Sequence, residues 1–398
     1  MDSTMDSTDA PAPVEGPRFS ILAIGALYRD VIVKVPKFPA EDAKLAATSE
    51  TVRVGGNISN TLSVMAQVVA PGTQLLYATA VGGPDAIWRP LITTLEAKGI
   101  TMLYEIRGGE GHATPTAYIF ESESTGSRTI ISHQLIPQLK TSEVTSLLFT
   151  HFFPKATFMS HAYDDMLSRV YNAHSSFYPS WIHFEGRECF MVEGVIDHFT
   201  GRREYKQNPC IISVEFEAYG RPGLDRLMGM CDVAFVAEGY MKAFLEDASK
   251  GSWNEDDKEY MVRLFTNFSK RTTKRWATMF VTVGSKGAYA VRFNNGSVEI
   301  RHIPAPDIPA SDILETTGAG DTFIGAAIYA LGYRGLDAVK AAKIAVNVAS
   351  KKCMQTGYDG LGNVSDGFGV LEGEDPFATP TAGMSPTPPV IRPMDGLL

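Results

Sequence analysis

Gly318, Ala319, Gly320 and Asp321 are the residues whose types and spacing point most directly to chemistry. They lie within ETTGAGDTFIG, the segment from Glu315 to Gly325. Apolar residues from Phe323 to Leu331 recur at helical spacing, so the glycines open a helix. Glycine costs backbone entropy relative to alanine, so two of them before an acid imply a demand on the backbone. The first four N–H groups of a helix lack partners, and the macrodipole places roughly half a positive charge there. Glycine lets a phosphate approach that end closely. A carboxylate just inside such an anion hole is electrostatically odd. It makes sense if Asp321 takes a proton from an acceptor hydroxyl while the amides stabilise a transferring phosphoryl group. The plainer alternative is a glycine turn with Asp321 as an N-cap. No G-x-x-x-x-G-K-[ST] segment occurs, so phosphate binding here works without a Walker lysine.

A second constellation is GGNISN, where Gly55 and Gly56 open a helix carrying Asn57 and Asn60. The i, i+3 spacing puts both carboxamides on one face. Carboxamides offer paired donors and acceptors that suit a hydroxyl-rich ligand, although an Asn at a helix start also serves as a simple cap. Asp30 follows the first strand and Asp42 follows KFPAE; with the two amides they would form a polyol pocket. A third stretch, VTVGSKGAYAV (281–291), reads by itself as a strand, a glycine-flanked turn and a second strand.

The elements that must position these residues alternate. Apolar strand patterns (SILAIG, LLYATAVG, WIHFEG, CIISVEFE, DVAFVA, MFVTVG) are separated by helical ones. The helical patterns are 57–69, 85–99 with Gly99 as its stop, CFMVEGVIDHF and EYMVRLFTNF. Such alternation predicts a mostly parallel sheet covered on both faces. The β-like stretches at 31–39, 49–56, 116–122 and 128–133 break it and predict a small separate sheet acting as a lid, spanning about 31–56 and 105–135. The segment 141–180 predicts one or two surface helices. Residues 1–17 repeat MDST and carry three prolines, and the tail from 364 to 398 carries six; both read as disordered. A net charge of −9 excludes a basic nucleic-acid footprint, and no run of 18 apolar residues suggests a membrane span. No secretory pattern opens the chain and no C-x-x-C pair occurs. The expectation is a cytoplasmic protein with reduced thiols.

With these three motifs in this order, the sequence resembles the ribokinase-like (PfkB) carbohydrate kinases, and within them the ketohexokinase branch. WIHFEGR (181–187), SVEFE (213–217), TGSRTI (125–130), GAGDTF (318–323) and SKKCMQTGYDG (350–360) carry the resemblance, which spans about 20 to 361. It implies a three-layer α/β/α kinase domain over 18–363 with a β-sheet lid. It also implies transfer of the ATP γ-phosphoryl group to a sugar hydroxyl, with fructose to fructose 1-phosphate favoured. In that pattern Asp321 is the general base and Gly318, Ala319 and Gly320 form the anion hole. Asp30, Asp42, Gly56, Asn57 and Asn60 hold the sugar. Gly284, Ser285, Lys286 and Gly287 border the nucleotide, Arg128 reaches its phosphates from the lid, and Cys353 lies by the adenine pocket as packing.

The resemblance also implies Mg2+, K+ and a homodimer formed through the lid. Two departures stand out. Glu315 replaces the family's usual Asp, which shifts either a bound monovalent cation or the anchoring of the loop. The N-x-x-E element is absent from FVAEGYMKAF, leaving Glu215 or Glu217 to order magnesium through water. The alternatives are a ribokinase-like or nucleoside kinase specificity, or a non-catalytic sugar- or nucleotide-binding regulator on the same fold.

Overall fold

The computed structural model describes residues 19–83, 86–109, 111–152, 179–201, 209–247, 276–294 and 297–362. Both tails of the sequence reading, the stretch EYMVRLFTNF and residues 153–178 lie outside that range.

The main sheet starts from β1 (Ser20–Ile24), whose five residues are all buried. Around it lie β4 (Gln74–Gly82), β5 (Ile100–Arg107), β8 (Trp181–Glu185), β9 (Ile211–Phe216), β10 (Val233–Ala237), β11 (Trp276–Thr282), β12 (Ala288–Asn294) and β13 (Ser297–Ile303). Their order is β13-β12-β11-β10-β9-β8-β1-β4-β5. The strands from β11 across to β5 pair in parallel, and β12 and β13 close one edge antiparallel. Continuous apolar runs suit strands covered on both faces. The two-residue period sorts them cleanly: Ile21 and Ala23 join one core, Leu22 and Ile24 the other.

The first core is covered by α1 (Asn57–Met65), α2 (Trp88–Glu96), α7 (Ala319–Ile328) and α8 (Ala338–Cys353). The second is covered by α3 (Thr141–Phe152), α4 (Cys189–Thr200), α5 (Leu224–Leu227) and α6 (Glu238–Asp247). Local signals explain several boundaries. Gly99 adopts φ +82° just past α2, as its predicted role as a stop requires. Asp337 caps α8 by accepting from the backbone N–H of Val339 (2.9 Å) and Lys340 (3.0 Å). Helix α1 ends at Met65, short of the 57–69 pattern, and continues as turns. Of the 141–180 segment, α3 buries Val144 and Leu148 against the second core.

The lid is a four-stranded sheet, in the order β3-β2-β6-β7, made of β2 (Tyr28–Val35), β3 (Ser49–Gly55), β6 (Thr116–Ser122) and β7 (Arg128–His133). The four predicted β stretches thus form one separate sheet. Its bounds are narrower than predicted on one side, because residues up to Arg107 belong to β5 of the main sheet. Register places Arg53, Asp30, Ala117 and Ser132 in one row, and Val52, Val31, Tyr118 and Ile131 in the next. Alternation sends these rows to opposite faces. Asp30, Ala117 and Ser132 look toward the main sheet's carboxyl edge, where parallel α/β sheets place their ligands.

Candidate active site

A cavity of about 430 Å3 lies between the lid and the carboxyl ends of β9, β10 and β11. Helix α7 brings Asp321 to its floor. Gly318 is the N-cap of that helix, in left-handed conformation at φ +78°. A Cβ there would collide with the Tyr358 hydroxyl. Asp321 occupies the first turn rather than the cap, and the cap makes no side-chain bond to the backbone. The Ala319 N–H is taken by the Thr316 carbonyl at 3.2 Å, and the N–H groups of Gly320 and Asp321 are the ones this end offers to a ligand.

Asp321 is buried, and its Oδ2 accepts from Asn60 Nδ2 at 2.7 Å. Burial pushes its carboxyl up to about 7 against the Asn60 bond, and the charges of Glu217, Glu185 and Asp30 add to the rise. A carboxyl poised near neutrality suits a general base.

Helix α1 supplies the neighbouring wall. Gly56 caps it at φ +99°, and a Cβ there would meet the Ala26 carbonyl. Asn57 Nδ2 donates to both carboxylate oxygens of Glu215 at 3.0 Å. The Asn57 N–H donors go to the Glu215 carboxylate and one Asn60 N–H goes to Asp321, which leaves the second Asn60 N–H and both carbonyl oxygens available to a ligand. Asp30 is buried on β2, and burial lifts its carboxyl to about 6 although Arg53 pulls it down. A Cβ at Gly55 would overlap the Asp30 carboxylate, which accounts for the first glycine of the pair.

The sequence-predicted residues are brought together unevenly. Asp30, Gly56, Asn57, Asn60, Arg128, Glu215, Glu217, Gly318, Gly320 and Asp321 all line the cavity, and Ala319 lies in the same turn. Arg128 donates from β7 to Thr316 Oγ1 at 2.5 Å. Asp42 does not join them. It sits exposed at φ 57° in the loop after β2, away from the cavity wall. The turn Gly284–Lys286 is exposed beyond Thr282, the last β11 residue on the wall, while Gly287 after it is buried; none of the four lines the cavity. Cys353 is not on the wall either; its carbonyl accepts from the backbone N–H of Leu314 (2.8 Å) and Glu315 (3.1 Å). The four cysteines are free thiols.

Sequence reasoning missed Arg187, Arg53, Lys352 and Tyr358. Arg187 lines the cavity, pairs with buried Glu185, approaches Glu217 at 3.8 Å and lies over the Tyr28 ring. Lys352 carried a readable signal. It falls on the buried stripe of α8 with Ala341, Ala345 and Val348, where the helical period places interior residues.

Glu215 gives a prediction. Burial first and the Asp321 charge second push its carboxyl well up, so the two acids compete for one negative charge. If Asp321 must be ionised to act, turnover falls as pH drops through about 7. Glu215 is the later of the two to ionise, so Glu215→Gln should leave the acid limb of the pH–rate profile nearly unmoved, whereas Glu217→Gln, which removes the largest like charge acting on Asp321, should move it down by about one unit. A limb moved by Glu215→Gln would show that Glu215 ionises first.

The chain is similar to known sugar and nucleoside kinases. Residues 206–360 match the model of the pfkB family of carbohydrate kinases. A ketohexokinase from Mus musculus is 24% identical over 346 residues, covering 86% of this chain and 98% of that protein. A ribokinase from Giardia lamblia superposes with a TM-score of 0.64 at 19% identity, covering 85% of this chain and 96% of that one. An adenosine kinase from Schistosoma mansoni in complex with 2-fluoroadenosine gives 0.61 at 16% identity (87% and 97%). An Arabidopsis thaliana ribokinase complexed with ribose and ATP gives 0.58 at 19% identity (86% and 94%). The fold is that of the ribokinase-like kinases, and the resemblance drawn from the motifs is borne out at that level.

Proposed function

We propose, from the premise that this chain is a ribokinase-like member of the pfkB family of carbohydrate kinases, that it transfers the γ-phosphoryl group of ATP to a sugar hydroxyl. The observation that carries this reading is Asp321, buried at the mouth of α7 and held by Asn60 beside Gly318 and Gly320. The acceptor hydroxyl gives its proton to Asp321 as its oxygen attacks phosphorus. The open amides of the α7 N-terminus take up charge on the transferring group, and Arg128 lies on the same side of the cavity. Closure of the lid over the cavity keeps water from competing as acceptor.

The donor set fits a magnesium ion delivered with the nucleotide. Glu215 and Glu217 present carboxylates to the cavity, but no cluster of three ligands exists among the described residues. Either carboxylate would hold the ion through water, and the ion would neutralise charge on the phosphate oxygens. Glu217 is the better placed, since both oxygens of Glu215 already accept from Asn57.

Fructose, phosphorylated at its primary C1 hydroxyl, is the favoured acceptor, supported by the ketohexokinase-like segments and by the mouse relative. The wall supports a neutral polyol: Asp30, Glu215, Glu217 and Asp321 face the cavity, and Arg187 is engaged by two carboxylates. The test is purified full-length protein with ATP against a panel of sugars and nucleosides, with the phosphorylated position assigned by NMR. Fructose 1-phosphate as the preferred product supports the reading. Preference for ribose or a nucleoside replaces the substrate but keeps the reaction. Binding without transfer in calorimetry makes the protein a ligand-binding regulator.

The outer face of the lid supports the homodimer. Val52, Tyr118 and Ile131 align in one row and are 47%, 41% and 57% exposed. Such an apolar row on an open sheet favours cover by another protein surface. Tyr118→Glu combined with Ile131→Lys should convert a dimer to a monomer in sedimentation. A wild-type monomer, or a double variant that still dimerises, would place the contact elsewhere.

A further inference from the structure

Beneath the anion-hole turn lies a second cluster, outside the cavity, that the reaction as described does not use. Its centre is Glu315, which is buried. The Glu315 carboxylate pairs with the Arg53 guanidinium of β3, with the Lys352 ammonium of α8 at 3.3 Å, and accepts the Gly357 N–H at 2.9 Å. Lys352, itself fully buried, also donates to the Glu315 carbonyl at 3.4 Å. Both cations lie on the ring of Tyr358, Arg53 at 5.8 Å and Lys352 at 5.3 Å from its centre. The Tyr358 hydroxyl in turn abuts Gly318, so closely that no Cβ fits between them. A continuous set of contacts therefore runs from the lid through Arg53, which also holds Glu315, and Tyr358 to the N-cap of the catalytic helix.

This cluster bears on the K+ that the family resemblance implies. The residues present do not fit it at Glu315. Both carboxylate oxygens are taken by donors, two of them cationic, and an added cation would sit against two positive charges in a water-poor site. Burial lowers the Lys352 pKa, and Glu315 pushes it back up.

We propose that Lys352 and Arg53 are positioning residues that fill the cation seat on Glu315 with the protein's own charges, so that the anion-hole turn is held without a free monovalent ion. Among these three side chains only Arg53 belongs to the lid, so the seat also ties the lid to the turn. The inference rests on the phosphoryl-transfer reading for its kinetic arm but not for its binding arm.

The full chain is assayed in potassium, sodium and tetramethylammonium chloride at equal ionic strength. The expected result is a kcat that varies by less than about fivefold across the three, below ordinary coupling between two sites. Activation by potassium of about fivefold or more overturns the proposal. The binding arm is the melting temperature in the same salts: no rise specific to potassium is expected, and a specific rise overturns it even if no acceptor is found. Failure of every acceptor would sink the kinase reading alone.

Lys352→Met, which keeps the stem and removes the charge, should lower kcat about tenfold or more in tetramethylammonium while leaving sugar KM nearly unchanged. Potassium or methylammonium should then restore part of the loss. Full activity of that variant in tetramethylammonium overturns the proposal. If the variant does not fold, Lys352→Arg replaces it, with kcat expected to remain independent of potassium; potassium dependence in that variant overturns the proposal.

Discussion

Asp321→Asn is expected to lower kcat by about 10²–10⁴-fold, the usual contribution of a positioned base. Nucleotide affinity should change little, because the phosphate would be held by the amides of α7 and by Arg128 rather than by the carboxylate. The variant should also be more stable than the parent, and the gain should depend on pH. Burial raises the Asp321 carboxyl from 3.8 to about 7 in the folded protein. A folded-state value above the unfolded one means that the parent loses stability as pH rises through that interval. Asn has no charge to bury, so the difference in melting temperature should be small at pH 5 and grow to pH 8. Loss of turnover with a rising melting temperature separates a catalytic role from a structural one. Near-normal kcat would remove Asp321 from the reaction.

The second large effect is expected at the two glycines, and it divides them. Gly318 adopts φ +78° with the Tyr358 hydroxyl against it, so Gly318→Ala is strained by its backbone and by its neighbour. The left-handed backbone alone costs about 1–2 kcal/mol. Both stability and turnover should fall. Gly320 is different: a Cβ built there meets no atom within 4 Å, and the space beside it is the cavity. Ala is the better helix former by about 0.5–1 kcal/mol, so Gly320→Ala should melt no lower than the parent. Its methyl would nonetheless stand where a phosphoryl group must approach, and kcat should fall about a hundredfold or more, as when an anion-hole contact is lost. A fully active Gly320→Ala protein would show that no ligand comes close to this turn.

That contrast bears on what the chain disclosed before its fold was known. The GAGD turn, the GGN helix start and the four lid strands were legible because each rests on local rules: glycine conformations, helix caps and the two-residue period. Gly55 and Gly56 show the limit. Their presence was visible, but the reason for the first, room for the Asp30 carboxylate, needs a cross-strand neighbour. Arg53 and Tyr358 had no local pattern at all, since each gains its meaning from Glu315 and Gly318, far away in sequence. Asp42 misled for the converse reason. An acid after a strand reads alike whether the following loop turns toward the cavity or away, and here it turns away. The GSKG turn was placed correctly between two strands, but a turn's distance from a ligand is a tertiary property.

The bond between Asn60 and Asp321 joins positions 261 residues apart, and Gly325 of α7 lies so close to α1 that an added Cβ would meet the Thr61 carbonyl at 2.7 Å. A ribosome must therefore deliver about four-fifths of the chain before the first helix acquires its partner. On the proposed reading, the sugar-facing wall would until then lack the carboxylate that takes up a proton. Closing so long a span makes this step slow relative to local folding. If Asp321 and the α7 amides carry the reaction as proposed, translation arrest or proteolysis upstream of Ala319 should leave fragments inert toward ATP rather than wasteful of it.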